Sequence, residues 1–252
     1  MRSHGQCIAE FLYLMGIKPK YQSGSMRISG LEVIPLAELK RPRIDVTARI
    51  SGLFRDSMPS VAELLDKAVL LAASLDEKDE DNYVKKHITA ESAELEESEG
   101  MAKEEAWRQA AFRIFGDQQG VYGAGVAALL EAKNWDTIDD IADVYVRWGG
   151  HAYGGKTRGK FLPQQFRKRM GSLDVTIKNE DNHETNMLSS DDYNAYHGGM
   201  IAAVRSIKGS APRSYCGDST DRSRITMHSV QEEAKRVFRS EAINPKFING
   251  MM

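Results

Sequence analysis

Apolar positions near the start of the chain recur at helical spacing. Ile8, Phe11, Leu12 and Met15 follow an i, i+3, i+4, i+7 rhythm, and predict a helix that Gly16 stops. Two short apolar runs come next, Leu31 to Leu36 and the alternating Ile44, Val46, Ala48 and Ile50; both predict strands, the second half-buried. A helix is expected after them, with Ser60 as N-cap, Glu63 completing a capping box, and Val61, Leu64, Leu65, Ala68 and Leu71 as its apolar stripe. From Glu77 to Glu105 the chain turns polar, as in ESAELEESEGMAKEE, which reads as a solvated loop and helix surface, the other reading being an acidic patch that attracts metal. Further helices are expected over Trp107 to Phe115, Ala124 to Ala132 and Ile138 to Trp148, punctuated by glycines at 116, 120, 123 and 125. A short strand from Leu173 to Ile177 precedes the last long helices, Asp191 to Ile207 and Val230 to Ser240. This order predicts a helix-rich α/β fold: a small mixed strand–helix portion over residues 1–76, then a mainly helical portion with short strands over residues 77–252.

Composition narrows the function classes. With 252 residues, 41% hydrophobic and 28% charged, the chain has the makeup of an ordinary globular protein able to bury a sizeable core. A net charge of −2 supplies no basic field for nucleic acid. No apolar run approaches the length of a membrane span, and the stretch after Arg2 and His4 is broken by Gln6 and Glu10, unlike a signal peptide; the cytoplasm is the expected compartment. Cys7 and Cys216 stand far apart without a CxxC partner, as small reduced residues rather than a disulfide or zinc framework.

Three groups of residues offer chemistry. Between Asp181 and His197, four carboxylates (Asp181, Glu184, Asp191, Asp192) and two histidines (His183, His197) fall within seventeen residues. Such groups hold divalent ions and take up protons, although Asp191 or Asp192 at a helix start equally serves as a cap. Arg43, Arg49, Arg55 and Asp56 form a second group, suited either to gripping carboxylates bidentately or to bracing the strand-to-helix turn. In RWGGHAYGG, Trp148, His151 and Tyr153 make an aromatic, glycine-flexed loop able to pack on a flat ring. The glycine-rich stretch 116–125 lacks the Lys-Ser/Thr pair of a phosphate loop, so ATP binding is not expected of this chain.

Five ordered blocks carry a resemblance. They are the run from Arg41 to Glu77, RIFGDQQGVYGAGV from Arg113, NWDTIDDIADVYVRWGGHAYG from Asn134, TIKNEDNHETNMLSSDDYNAYHGGM from Thr176, and the closing INPKFINGMM. The chain resembles the large, tetrapyrrole-binding subunit of the ATP-dependent metal chelatases, namely the cobaltochelatase of corrin synthesis and the magnesium chelatase of chlorophyll synthesis. DDYNAYHGGM is nearer the cobalt branch. The resemblance implies a fragment of a longer subunit that inserts Co²⁺ into a corrin precursor of the hydrogenobyrinate a,c-diamide type. ATP and Mg²⁺ would be handled by an AAA+ ATPase subunit and an integrin-domain-bearing subunit. It also leaves open a paralogue acting on porphyrin, by magnesium insertion or metal removal, and a non-catalytic tetrapyrrole-binding or assembly module. Asp181, Glu184 and Tyr193 have family counterparts; Ser189 stands where the family places an Asp, and His183 where the cobalt branch commonly has Arg. On this resemblance Glu184, Asp191 and His197 are the candidate catalytic residues, and Glu184, Asp191, Asp192 and His197 the candidate metal ligands. Arg43, Arg49, Arg55, Trp148, Tyr153 and Tyr193 are the candidate ring-binding residues. The fragment alone is expected to be inactive, since family subunits continue into an HGYKGA-like segment beyond the NPKFINGMM position.

Overall fold

Phe11 and Leu12 bury the inner face of the first predicted helix, α1 (Gln6–Leu14), and the chain turns at Gly16 with φ of +72°. The computed structural model describes residues 5–251, so Arg2, His4 and Met252 lie outside the described residues. β1 (Ile17–Tyr21) and β2 (Ile28–Val33) form an antiparallel hairpin with Ile17 opposite Val33. The apolar run 31–36 is thus divided between β2 and a single helical turn, α2 (Leu36–Leu39). Pro35, with φ of −58°, ends the strand and admits the helix. The alternating run 44–50 contributes only β3 (Ala48–Arg49). The amides before it are bonded elsewhere, Arg43 N–H to the Asp81 carbonyl and Ile44 N–H to that of Leu14.

Ser51 caps α3 (Gly52–Ser57) by accepting the Phe54 N–H. The next helix, α4 (Pro59–Ala73), starts one residue before the expected capping box. Pro59 fills the first helical position, where a missing N–H costs nothing, and Glu63 pairs with Arg158 instead of capping. Ala62, Leu65, Ala68, Val69 and Ala72 are its buried face, so the predicted stripe is rotated and leaves Val61, Leu64 and Leu71 half-buried. The polar stretch folds as α5 (Tyr83–Glu99) and α6 (Lys103–Ala110), with Val84, Ile88, Leu95, Ala106 and Ala110 inward and Glu94, Glu97 and Glu99 in solvent. β4 (Ile114–Gly116) claims the end of the helix expected over 107–115. Beyond it come α7 (Val126–Glu131), α8 (Ile138–Gly149), β5 (His151–Gly154), β6 (Thr157–Phe161), α9 (Pro163–Ser172) and β7 (Val175–Glu180). A π turn, Tyr193–Gly198, runs into α10 (Gly199–Lys208), followed by β8 (Arg213–Asp218), β9 (Thr226–Ser229), α11 (Val230–Val237), a second π turn and α12 (Pro245–Met251).

The outcome is a helix-rich α/β fold with three small sheets. Its compact units do not divide the chain at residue 76: one is Ile8–Tyr122 with Gly150–Gln165, the other Met1–Cys7, Gly123–Gly149 and Phe166–Met252. The reason lies in the first unit's sheet, ordered β3-β4-β5-β6, which draws residues 114–116 and 151–161 onto the early strand. The aromatic RWGGHAYGG loop therefore begins a β-hairpin. In the second unit, β7 and β8 are parallel and β9 antiparallel to β8, and the helix containing α10 makes the crossover between the parallel pair. Gly199 lets that helix close on α8, because a Cβ there would stand 2.6 Å from the Tyr145 ring. Among the described residues no helix is long and apolar enough to cross a membrane.

Candidate functional site

The arginine group falls in the first unit, and the structure turns three of its side chains, Arg43, Arg49 and Arg55, inward. Arg43 is fully buried: Nε and Nη2 meet the Glu77 carboxylate at 2.7 and 2.8 Å, and the remaining N–H groups reach the carbonyls of Met15, Gly16 and Ile34. All five guanidinium donors are spent, so none remains for a ring carboxylate. Arg55 grips Asp56 through two bonds of 2.7 Å and ties down the 117–121 loop through the carbonyls of Asp117, Gln118 and Val121. This is the bracing arrangement. Arg49 pairs with Asp117 at 3.4 Å and donates to the Ile50 carbonyl. Burial pushes the Asp117 carboxyl up, against the pull of Arg49 and Arg55. Tyr153 is also interior, and its hydroxyl donates to the Asp117 carbonyl at 2.5 Å. At the rim, Tyr122 donates to Asp56 at 2.6 Å, and the Arg55 bond holds the Asp56 carboxyl down at about 2.

The second group lies in the other unit, and the structure separates its members. Glu184, Asp191 and Asp192 are exposed, whereas His197 is 3% exposed. Glu184 sits in a turn whose Asn182 Oδ1 accepts the amides of 184 and 185 at 3.1 Å, and Asp191 accepts the Asp192 amide. Among the described residues no three His, Cys, Asp or Glu side chains are arranged to hold a metal ion. The metal set Glu184, Asp191, Asp192 and His197 is therefore not assembled here, because the helix beginning at Asp191 turns His197 inward and leaves the two aspartates in water. Ser189 accepts the Asn186 amide at 3.0 Å and so shapes the loop. Trp148 is 37% exposed and packs over Gly125.

His197 and Tyr193 instead enter a polar seam between the π turn and the sheet. Alternation along β7 points Thr176, Lys178 and Glu180 to one face, and Cys216 is the register partner of Lys178 on β8. Tyr193 is buried there: its hydroxyl lies 2.7 Å from the Cys216 sulfur, and Lys178 Nζ stands 4.0 Å from the ring centre. His197 Nε2 lies 3.1 Å from Thr176 Oγ1. Burial sets the charge states. It raises the Glu180 carboxyl against the pull of Tyr193, lifts the Cys216 thiol to about 11, drives the Tyr193 phenol far up, and lowers His197 to about 4 with help from Lys178. Glu180 Oε1 and His197 Nδ1 are buried without a hydrogen-bond partner among the described residues. The seam thus offers an imidazole kept neutral by burial and a carboxyl whose pKa burial raises. Thr176, Lys178 and Glu180 were not singled out from sequence, and Cys216 was read only as a small reduced residue. The signal of the first three is polarity at every second position of a parallel strand, where apolar residues are the rule.

The whole chain, residues 1–252, matches the family model described as CobN/magnesium chelatase. The chain belongs to the CobN/magnesium chelatase family. It is 42% identical over 251 residues to the aerobic cobaltochelatase subunit CobN of Pseudomonas aeruginosa, covering all of this chain and 20% of that protein. Identity to the chloroplastic magnesium-chelatase subunit ChlH of Oryza sativa subsp. indica is 30% over 257 residues, covering 18% of it. The catalytic subunit of cobaltochelatase from Mycobacterium tuberculosis superposes with a TM-score of 0.89 at 43% identity, over 97% of this chain and 20% of that one. The chain therefore spans about a fifth of the length of the CobN proteins it matches.

Proposed function

We propose that this segment serves the large subunit of an ATP-dependent cobaltochelatase, which inserts Co²⁺, as substrate ion, into a carboxylated corrin precursor of the hydrogenobyrinate a,c-diamide type. One observation carries the choice of branch: identity of 42–43% to cobaltochelatase subunits against 30% to a magnesium-chelatase subunit over the same residues. Metal insertion expels two protons from ring nitrogens, and a neutral imidazole together with a carboxyl of raised pKa further along the same strand face fits such a demand. ATP hydrolysis belongs to partner subunits, an AAA+ ATPase and an integrin-domain protein, and the complex works in the cytoplasm. The test is reconstitution of the longer subunit carrying this segment with its ATPase partners. ATP-dependent appearance of the cobalt-corrin spectrum is expected, and magnesium insertion into protoporphyrin with no cobalt activity overturns the reading.

A second reading, a non-catalytic ring-binding or assembly module, draws on Ser189 in place of an acid and on the separation of Glu184 from His197. Restoring the acid with Ser189→Asp in the reconstituted enzyme separates the two. A gain of insertion rate from zero supports this second reading, and activity already present without the change removes it.

A further inference from the structure

Two hydroxyls behind His197 form a one-way chain of donors. The Pro212 carbonyl can only accept, and Ser214 Oγ donates to it at 3.2 Å. With its proton committed, Ser214 Oγ accepts from Thr176 Oγ1 at 2.8 Å. Thr176 has then spent its only proton, and its oxygen can meet His197 Nε2, 3.1 Å away, only as an acceptor. The imidazole must therefore carry its hydrogen on Nε2, which leaves a lone pair on Nδ1. The opposite tautomer would bury an N–H with no acceptor among the described residues, a rarer and more costly arrangement than a bare lone pair.

We infer that Thr176 and Ser214 are positioning residues that hold His197 as the neutral Nε2–H tautomer, and that its Nδ1 lone pair is the seam's acceptor for one N–H or O–H donor. The strand-to-helix crossover builds this relay. Thr176 and Ser214 are register partners on the parallel strands β7 and β8, and the π turn sets His197 against them. Every link lies in one compact unit. A buried acceptor under the positive charge of Lys178 resists protonation from solvent and is kept available for a donor delivered to the site. That use of the acceptor rests on the tetrapyrrole reading; the tautomer does not.

Nitrogen NMR on the chain labelled at histidine tests the relay. Near neutral pH, His197 is expected to show a proton on Nε2 and a bare, pyridine-like Nδ1. Thr176→Ser should keep this signature, and Ser214→Ala should weaken it, because Thr176 is then free to donate to Nε2 and stabilise the Nδ1–H form. An Nδ1–H signal in the unaltered chain, or an unchanged signature in folded Ser214→Ala, overturns the inference. The proposed function is read separately, by adding hydrogenobyrinate a,c-diamide to the reconstituted subunit: absence of ring binding there removes the tetrapyrrole reading and leaves the tautomer assignment standing.

Discussion

At the scale of single residues, burial decides which charged groups are structural. Arg43 makes five hydrogen bonds from a fully buried position, so Arg43→Met should strip Glu77 of its cationic partner, leaving it the Asn82 amide, and take one donor from each of the Met15, Gly16 and Ile34 carbonyls. The expected loss is about 3–5 kcal/mol by urea unfolding. Arg43→Lys should recover little of it, since an ammonium cannot span the same fork. His197 makes a pH-dependent contribution. Its folded pKa of about 4 lies below the ordinary 6.5, so the unfolded chain binds the extra proton between those values. Stability from this residue is therefore complete above about pH 6.5 and falls as pH drops toward 4, by about 3 kcal/mol. Glu180 and Asp117, whose pKa values are raised, act in the opposite sense, so the difference between the unaltered chain and His197→Gln isolates the histidine. A pH profile that stays the same in His197→Gln would refute this assignment.

Secondary-structure elements carry their own constraint at the π turn and α10. Adjacent glycines there have opposite duties. A Cβ at Gly199 would stand 2.6 Å from the Tyr145 ring, so Gly199→Ala should force α10 away from α8 and cost about 1–3 kcal/mol in a thermal melt. At Gly198 the nearest neighbour would be 3.9 Å away and φ is an ordinary −60°, so Gly198→Ala should be neutral or stabilise by up to about 1 kcal/mol. Equal effects from the two changes would show that helix contact does not explain the glycine pair. The elements that pattern revealed best were those with long amphipathic stripes, α1, α8 and α10. Those it missed or displaced were short. β4, β5 and β8 have three, four and six residues, too few for periodicity to tell a strand from a loop or a helix end.

For the whole molecule, the ring site is the limiting question. Small-molecule sites commonly enclose about 70–90% of their ligand. A segment matching about a fifth of its CobN relatives is expected to bind hydrogenobyrinate a,c-diamide weakly by itself, insert no metal, and turn over no ATP. Submicromolar ring binding by the isolated chain, followed by absorbance, would show instead that the pocket is complete within these residues.

The residues alone determined the family and the helix-rich α/β class, because motif order and amphipathic period are properties of the chain. Proximity in sequence suggested that Glu184, Asp191, Asp192 and His197 act together, but rotation along a helix put Asp191 and Asp192 in solvent and His197 inside, and Glu184 lies in an exposed turn before it. Only the fold decided that Arg43 is spent on internal partners, since Gly16 and Glu77 lie tens of residues away along the chain, and that Arg55, whose pairing with the adjacent Asp56 was one of the two readings open to the sequence, also ties down the 117–121 loop. It also decided that Thr176, Glu180 and Cys216 join His197 and Tyr193. That meeting depends on the register of two parallel strands and the crossover between them, and such pairing leaves no local trace in the sequence.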